Sequence, residues 1–492
     1  MNRGLYRRRT AGAAVGLAAA LALLGACRTA GPNFAPPAAP KTAGYLMQGD
    51  AASPIAAMNP DARVAGAWWK AFGSADLDRT VDAALAGNRT LEAANATLER
   101  ARQQAIAVRG AQLPQADLSA SAQRERINLA GFGFKGFPNP TINLYSIGPT
   151  VTYDLDLFGG RRRASEQARA QAEGEARRAD AAYLTLTGQV TLAALQIATL
   201  RDQIATLDRV IADDQRLVDL VHRAQEAGGE AAAALSSPKA QLAQDQALRP
   251  PLEQQLSQAR HNLALLVGHA PADWTAPDFD IAGFSAPTAV PVSLPSALVR
   301  KRPDILAAEA DLHAATANIG IQSAALYPDV RLSANFLQTS VAPEAILSYG
   351  NTGYSIGASL TQPLFHGGAL KANKRAAEAA AKAANARYQQ TVLTAFTQVA
   401  DVLQALANDE AAVSAQDQAR QVAEQDLKNT QFAYQNGGGA LIEVTQAQRR
   451  LSQTRQAYAL AQGKRYSDAV RLYIATAADW TAATPQRTAS AQ

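Results

Sequence analysis

Two periodicities divide the chain. Between residues 114 and 158, Val151, Tyr153, Leu155 and Leu157 alternate with Thr150, Thr152, Asp154 and Asp156. In the same region Ala116, Leu118, Ala120 and Ala122 alternate with Asp117, Ser119, Ser121 and Gln123. A later region sets Val330, Leu332, Ala334 and Phe336 against Arg331, Ser333 and Asn335. It then sets Tyr354, Ile356, Ala358 and Leu360 against Ser355, Gly357, Ser359 and Thr361. Period two marks a strand with one apolar face, and predicts four strands at about 115–127, 142–157, 329–338 and 352–363. Strands of about 8–10 residues are long enough to cross a bilayer when tilted. A soluble sheet with one wet face carries the same alternation. The joining segments, 128–141 and 338–351, contain Gly, Pro and Asn and read as exposed loops.

From Tyr183 the spacing changes to threes and fours. Leu186, Val190, Ala193, Ile197, Leu200, Ile204, Leu207 and Ile211 form a heptad seam that resumes at Val218 and Val221. Asp214 alone interrupts it. A return limb keeps the seam at Leu252, Leu256, Ala259, Leu263 and Leu266. A second set runs out through Tyr388, Val392, Ala395, Val399, Val402 and Leu406 and back through Leu441, Val444 and Leu451. Helix from 160 to 227 would be about 100 Å long at about 1.5 Å per residue. Shorter amphipathic helices are expected at about 77–111 and 305–326, ahead of each strand pair. Pro238, Pro250 and Pro251 fall in the first return limb. Proline inside a helix forfeits a hydrogen bond, so a bend or interruption is expected there.

The same landmarks occur twice, in order. Pro114, Phe158-Gly159-Gly160 and Gly228-Gly229 in the first half answer to Pro328, Phe365 with Gly367-Gly368, and Gly437-Gly438-Gly439 in the second. Leu118-Ser119-Ala120 answers to Leu332-Ser333-Ala334. The period is too long for a solenoid, so the chain is a duplicated strand–strand–long-helical-hairpin module. The division that follows is a signal at 1–26, a tether at 27–66, a first repeat at 67–280 with its long hairpin at 160–268, and a linker at 281–296. A second repeat at 297–480, with its long hairpin at 368–476, and a tail at 481–492 complete it.

Composition changes this picture at the amino terminus only. Arg3, Arg7, Arg8 and Arg9 precede an apolar Ala/Leu run that ends in Leu24-Gly25-Ala26-Cys27. This reads as a secretory signal. Without those four arginines, the 47 Lys and Arg nearly balance the 42 Asp and Glu, so charge gives no case for nucleic-acid binding. Cys27 is the single cysteine, which excludes an internal disulfide. Its place at a small-residue cleavage point resembles a bacterial lipobox, which implies cleavage before Cys27 and covalent lipid on it. No other cofactor is expected. Acyl chains contribute about 0.8 kcal/mol per buried methylene, so two or three anchor a protein firmly. The Ala-, Pro- and Gly-rich residues after Cys27 read as an extended tether.

Four strands with an apolar face cannot close a barrel. In lipid each unpaired backbone group costs several kcal/mol, so sheet edges must meet other edges. A cyclic homo-oligomer with heterologous contacts follows. The inward Ser, Thr, Asn, Asp and Gly positions suit a wet lumen. Physics alone does not choose between two, three or more copies.

Several stretches resemble the TolC-like outer-membrane factors, in particular their lipid-anchored (OprM/NodT-like) efflux branch. They are Trp68-Trp69 with Phe72 and Leu77, the YDLDLFGG run ending at Gly160, and Arg302-Pro303-Asp304-Ile305 leading to Tyr327-Pro328. Gln362-Pro363-Leu364-Phe365 with Gly367-Gly368, and the glycine turns followed by Gln446-Ala447-Gln448, complete the set. The resemblance implies a mainly α protein with a membrane β-barrel portion: a homotrimer with a twelve-stranded barrel in outer-membrane lipid and an α-helical periplasmic tunnel. It implies a passive conduit for small molecules, served by a periplasmic adaptor (membrane fusion protein) and an inner-membrane pump of RND type. A conduit for type I protein secretion and a lipid-anchored coiled-coil structural protein are the competing readings.

The same resemblance implies a gate just beyond the second glycine turn. Glu443 falls at an acidic gate position, Ile442 at an apolar constriction, and Gln446 where an aspartate is usual. Adaptor contact is implied at the tips: Gly228, Gly229, Glu230, Gly437, Gly438 and Gly439. The five histidines show no metal-ligand spacing, and no nucleophile elbow or phosphate-binding loop occurs in strand–helix context. Catalysis and a metal site are therefore not expected.

Overall fold

The computed structural model describes residues 29–40, 42, 44–50, 56–58, 67–133, 136, 138–228, 231–285, 290–292 and 295–476. The signal, Cys27, Gly229, Glu230 and the tail lie outside the described residues. Two compact units emerge. One gathers Leu98–Glu175 and Ala307–Tyr388 with the described amino-terminal stretch up to Pro37; the other gathers Ala38–Thr97, Ala176–Leu306 and the chain from Gln389 onward. Each unit draws on both halves of the duplication.

The first unit contains one antiparallel sheet of four strands: β1 (Gln115–Arg126), β2 (Thr141–Asp154), β3 (Asp329–Ser340) and β4 (Thr352–Thr361), in that spatial order. Within the copies Gln115 faces Thr152 and Asp329 faces Thr361. Between the copies β2 pairs β3, with Thr152 opposite Ser333. That leaves β1 and β4 as open edges. The alternating apolar residues stay on the surface, with Leu118, Tyr354, Ile356 and Leu360 all exposed.

β2 ends at Asp154, earlier than the alternation through Leu155 and Leu157 predicts. Asp156 is the reason: it turns the chain with φ +43°, and its carboxylate accepts the backbone N–H groups of Arg161 and Arg162. These are orphan donors at the start of the next helix, so the aspartate trades strand for helix cap. β4 likewise stops at Thr361 rather than 363, two residues short of Pro363.

The longer helices are α1 (Ala75–Gly87), α2 (Arg89–Gly110), α3 (Gly160–Glu226), α4 (Ser236–Val267), α5 (Pro303–Ala324), α6 (Ala369–Gln435) and α7 (Leu441–Ala475). α3 and α6 are each 67 residues long, equal products of the two copies. The single helix expected at 77–111 is instead two. Asn88 takes an extended backbone between them, and its side-chain oxygen caps Leu91 N while its amide donates to Leu266 O at 2.8 Å. The expected interruption at Pro250 and Pro251 is absent: α4 runs through both. Both prolines are exposed, so the carbonyls they leave unbonded face water rather than a dry core.

The stretch after Cys27 is not a free tether throughout. Arg163 donates to Ala30 O and to Asn33 Oδ1, and Phe34 stacks on His313 at 4.3 Å. Glu166 receives both Arg163 and His313. Burial alone would raise the Glu166 carboxyl, but those two partners hold it below the usual range.

In the second unit, Trp68, Trp69, Phe72 and Leu77 are buried, with Trp68 stacked on Tyr473 at 5.3 Å. Arg302 lies beside this core. Its guanidinium forks onto Asp304 at 2.9 and 2.6 Å, reaches Gln398 Oε1 at 2.8 Å and donates to Ala475 O at 3.1 Å. One side chain thereby terminates α7 and ties it to α5 and α6.

Each long hairpin also buries two aspartates. Asp214 of α3 meets Asp245 of α4, which accepts from Gln241 at 2.8 Å; Gln241 in turn accepts from Arg449 of α7. Burial, the Asp245 bond and the negative charges of Asp245 and Asp213 push the Asp214 carboxyl up to about 8. Asp409 of α6 and Asp468 of α7, both buried, have cations that the first pair lacks among the described residues: Lys464 at 2.7 Å and Arg471 at 2.7 Å respectively. Burial raises the Asp409 carboxyl, Lys464 works against this, and Asp468 adds to it.

Two outcomes follow. Replacing Arg302 with Ala strands Asp304 and the end of α7, lowering stability by about 2 kcal/mol or more, with Lys intermediate, as read by denaturant unfolding. Asp214 is raised in the folded chain, so its contribution to stability is full below its unfolded pKa and is lost as pH climbs from 3.8 towards about 8. The Asp214→Asn chain should unfold at a higher temperature than the parent at pH 8.5 and at nearly the same temperature at pH 4. Equal differences at both pH values would contradict this.

Candidate functional site

The implied gate residues lie at the start of α7. Helix α6 ends in a Schellman turn: Gly438 N donates to Ala433 O at 2.9 Å and Gly437 N to Tyr434 O at 3.1 Å, with Gly437 at φ +76°. Gly438 and Gly439 are not in the left-handed region. At Gly439 the space is tight instead, since a Cβ there would lie 3.0 Å from Tyr434 N. The chain then re-enters helix at Leu441.

On this first turn Leu441, Val444, Thr445, Ala447 and Gln448 are buried, whereas Ile442, Glu443 and Gln446 are exposed. Residues three and four apart on a helix share a face, which sets Gln446 beside both Glu443 and Ile442. The structure therefore brings the three gate residues onto one uncovered face, with Ile442 55% exposed although it is a large apolar side chain. Glu443 has a local task as well. Its carboxylate accepts the Ala440 backbone N–H at 3.3 Å, half of a capping box, because Ala440 has no side-chain acceptor to complete it.

The first tip is built differently. Gly228 has φ +76°, as Gly437 does, but α4 begins only after a short 3-10 turn at Ala232–Leu235. Ala234, at the position that answers to the gate carboxylate, is half-buried against a cluster formed by Leu217 and Val221 of α3, Leu427 of α6, and Val444 and Leu451 of α7. The tip is thus a small apolar core shared by both hairpins, and on the second the exposed Glu443 and Gln446 form a polar rim.

Arg455 was not legible in the sequence. It reaches from α7 to Asp213 of α3 at 3.4 Å and to Glu424 of α6 at 3.0 Å, lining a groove of about 450 Å³ with Leu217, Tyr434 and Gln448. One guanidinium thereby bridges the two hairpins. Heptad analysis marks Asp214 because a charge breaks an apolar seam. It passes over Arg455, one charge among many on a polar helix flank. Among the described residues, no group of three or more His, Cys, Asp or Glu converges as a metal site would.

Residues 80–269 and 294–478 match the sequence model of the family described as outer membrane efflux protein. The pyoverdine export outer membrane protein OpmQ of Pseudomonas aeruginosa is 29% identical over 469 residues, covering 94% of this chain and 96% of OpmQ. Outer membrane protein OprJ of the same species is 31% identical, covering 78% of each chain. The solved structure of the outer-membrane channel OprN superposes with a TM-score of 0.84 at 26% identity, covering 92% of this chain and 99% of that one. The chain belongs to the outer membrane efflux protein family of TolC-like outer-membrane factors and is the outer-membrane channel component of an efflux system.

Proposed function

We propose that three copies of this chain close a twelve-stranded barrel in the outer membrane and continue as a helical periplasmic tunnel. The conduit is passive and exports small molecules. Energy comes from an inner-membrane pump of RND type, joined through a periplasmic adaptor at the hairpin tips. The observation that carries this reading is a four-stranded sheet with two open edges and an exposed apolar face, continuous with two helical hairpins whose outgoing limbs are each 67 residues long. A coiled-coil spacer needs no such sheet. Export of pyoverdine by a relative of near-equal length favours small molecules over secreted proteins as cargo. Lipid on Cys27 would hold the complex to the membrane, next to a stretch that Arg163 clamps at Ala30 and Asn33.

Opening requires the hairpins to part at the tip, and the Arg455 pairs resist that. With Ile442, Glu443 and Gln446 turned to the axis, three Glu443 carboxylates would favour cations. Each would also repel the others.

Cells that keep the adaptor and pump but lack this chain should retain a fluorescent pump substrate and export it again when the chain is restored. Retention that persists would overturn the reading. In planar bilayers, Glu443→Gln should lower the cation preference of the channel while keeping the Ala440 cap, since glutamine can also accept that bond. Unchanged selectivity removes the gate role. Arg455→Ala should raise the leak conductance of the closed channel about severalfold, by loss of two partly exposed ion pairs.

A further inference from the structure

The apolar face of the sheet does not run unchanged to its far end. β1 follows α2 at Gln115 and ends at Arg126, and β2 returns from Thr141 to Asp154, just ahead of α3. Residues 124–126 and 141–143 therefore lie at the end of the sheet remote from those helices. Along β1 the apolar face carries Ala116, Leu118, Ala120 and Ala122, and the next two members of that face are Arg124 and Arg126. On β2, Pro149, Ile147 and Tyr145 lie opposite Leu118, Ala120 and Ala122; Asn143 then faces Arg124 and Thr141 faces Arg126. The other face changes in the reverse sense, with Leu144 opposite Gln123 and Ile142 opposite Glu125. On this strand pair the apolar band stops at Ala122 and Tyr145. Beyond it the same face is basic and polar.

Both arginines are exposed, and neither has a hydrogen-bond or ion-pair partner among the described residues. Glu125, between them in sequence, belongs to the opposite face because strand side chains alternate. Successive members of one face are about 7 Å apart. Two guanidiniums, with the Asn143 amide and the Thr141 hydroxyl directly across, thus gather donors around no carboxylate. Ending the apolar band does not itself call for arginine. Leu118-Ser119-Ala120 answers to Leu332-Ser333-Ala334, so Arg124 and Arg126 answer to Gln338 and Ser340, and the second copy ends its band with neutral groups.

We propose that Arg124 and Arg126 form a docking site for the phosphate groups of lipid in the outward-facing leaflet, flanked by Asn143 and Thr141, with Tyr145 on the acyl side. The inference rests on the outer-membrane reading above, which puts the helices in the periplasm and hence this end of the sheet at the cell surface. Guanidinium takes phosphate oxygens in paired, charge-assisted hydrogen bonds. A charge on the lipid-facing side of a barrel is costly at the bilayer midplane and cheap near its boundary, where an amphipathic ring such as that of Tyr145 also sits well. A phosphorylated lipid meets both parts of the surface: its headgroup supplies the anion the arginines lack, and its acyl chains cover the apolar band. A soluble anion would meet only the first.

The full-length oligomer, held in phosphatidylcholine nanodiscs, is titrated with lipid A, a glycolipid with two phosphates, and with the same glycolipid stripped of phosphate. Native mass spectrometry counts the bound lipid. The parent should bind lipid A at least about tenfold more tightly than the phosphate-free form, and less so as salt rises. Arg124→Gln with Arg126→Gln should abolish that preference, and Arg124→Lys with Arg126→Lys should keep part of it. Glu125→Gln, on the opposite face, should leave it unchanged. Equal affinity of the parent for the two glycolipids overturns the inference, as does an undiminished preference in the glutamine variant. Displacement of lipid A by an equal concentration of inorganic phosphate also overturns it, in favour of a free-anion site. The comparison of glycolipids and the phosphate competition use the parent alone, so they decide the matter even where a variant does not insert. A parent that forms no membrane-inserted oligomer overturns the outer-membrane reading instead.

Discussion

Unpaired backbone at a sheet edge is the constraint on which the rest depends. The sheet pairs β1, β2, β3 and β4 and then stops, with an apolar face uncovered and two edges open. In water such edges invite aggregation, and in hydrocarbon they are not tolerated. A single chain therefore has no stable membrane form. Four strands are too few to close, and closure has to come from further copies.

The duplication supplies a second requirement, a tunnel long enough to leave the membrane. Two 67-residue helices descend from strand–helix turns built around Asp156 and around Gly367-Gly368, and both return through glycine turns. The copies then diverge towards their tips. The second hairpin has the exposed Ile442, Glu443 and Gln446 face and contributes Arg455, while the first has the pair Asp214 and Asp245 without a cation. Its acids hold each other by a hydrogen bond, and the second hairpin's acids are held by Lys464 and Arg471. The hairpin with the polar rim is thus tied to its neighbour by screened, partly exposed ion pairs, which are weak and reversible bonds.

Strand alternation, heptad seams and the repeat were legible because each is periodic, and a period survives local irregularity. The existence of the four strands and long hairpins followed from it, and Asp214 stood out against the seam. What the sequence hid was aperiodic. Asn88 splits a helix because its side chain finds Leu91 N and Leu266 O, the second of them a partner from far along the chain. Asp156 ends a strand early to cap α3, and Pro250 and Pro251 are tolerated because they face water. Arg302 has partners on three different elements and Arg455 on two, a relation no local pattern records. At the tip, the glycine turns were legible from residue type and spacing. The half-buried Ala234 and the unlike starts of α4 and α7 were not, since both arise from packing between hairpins.

The most direct test of the central claim is the mass of the particle extracted from outer membranes. The account predicts a heat-sensitive complex of three mature chains that detergent is needed to release. A single chain that salt alone washes from the membrane would contradict it.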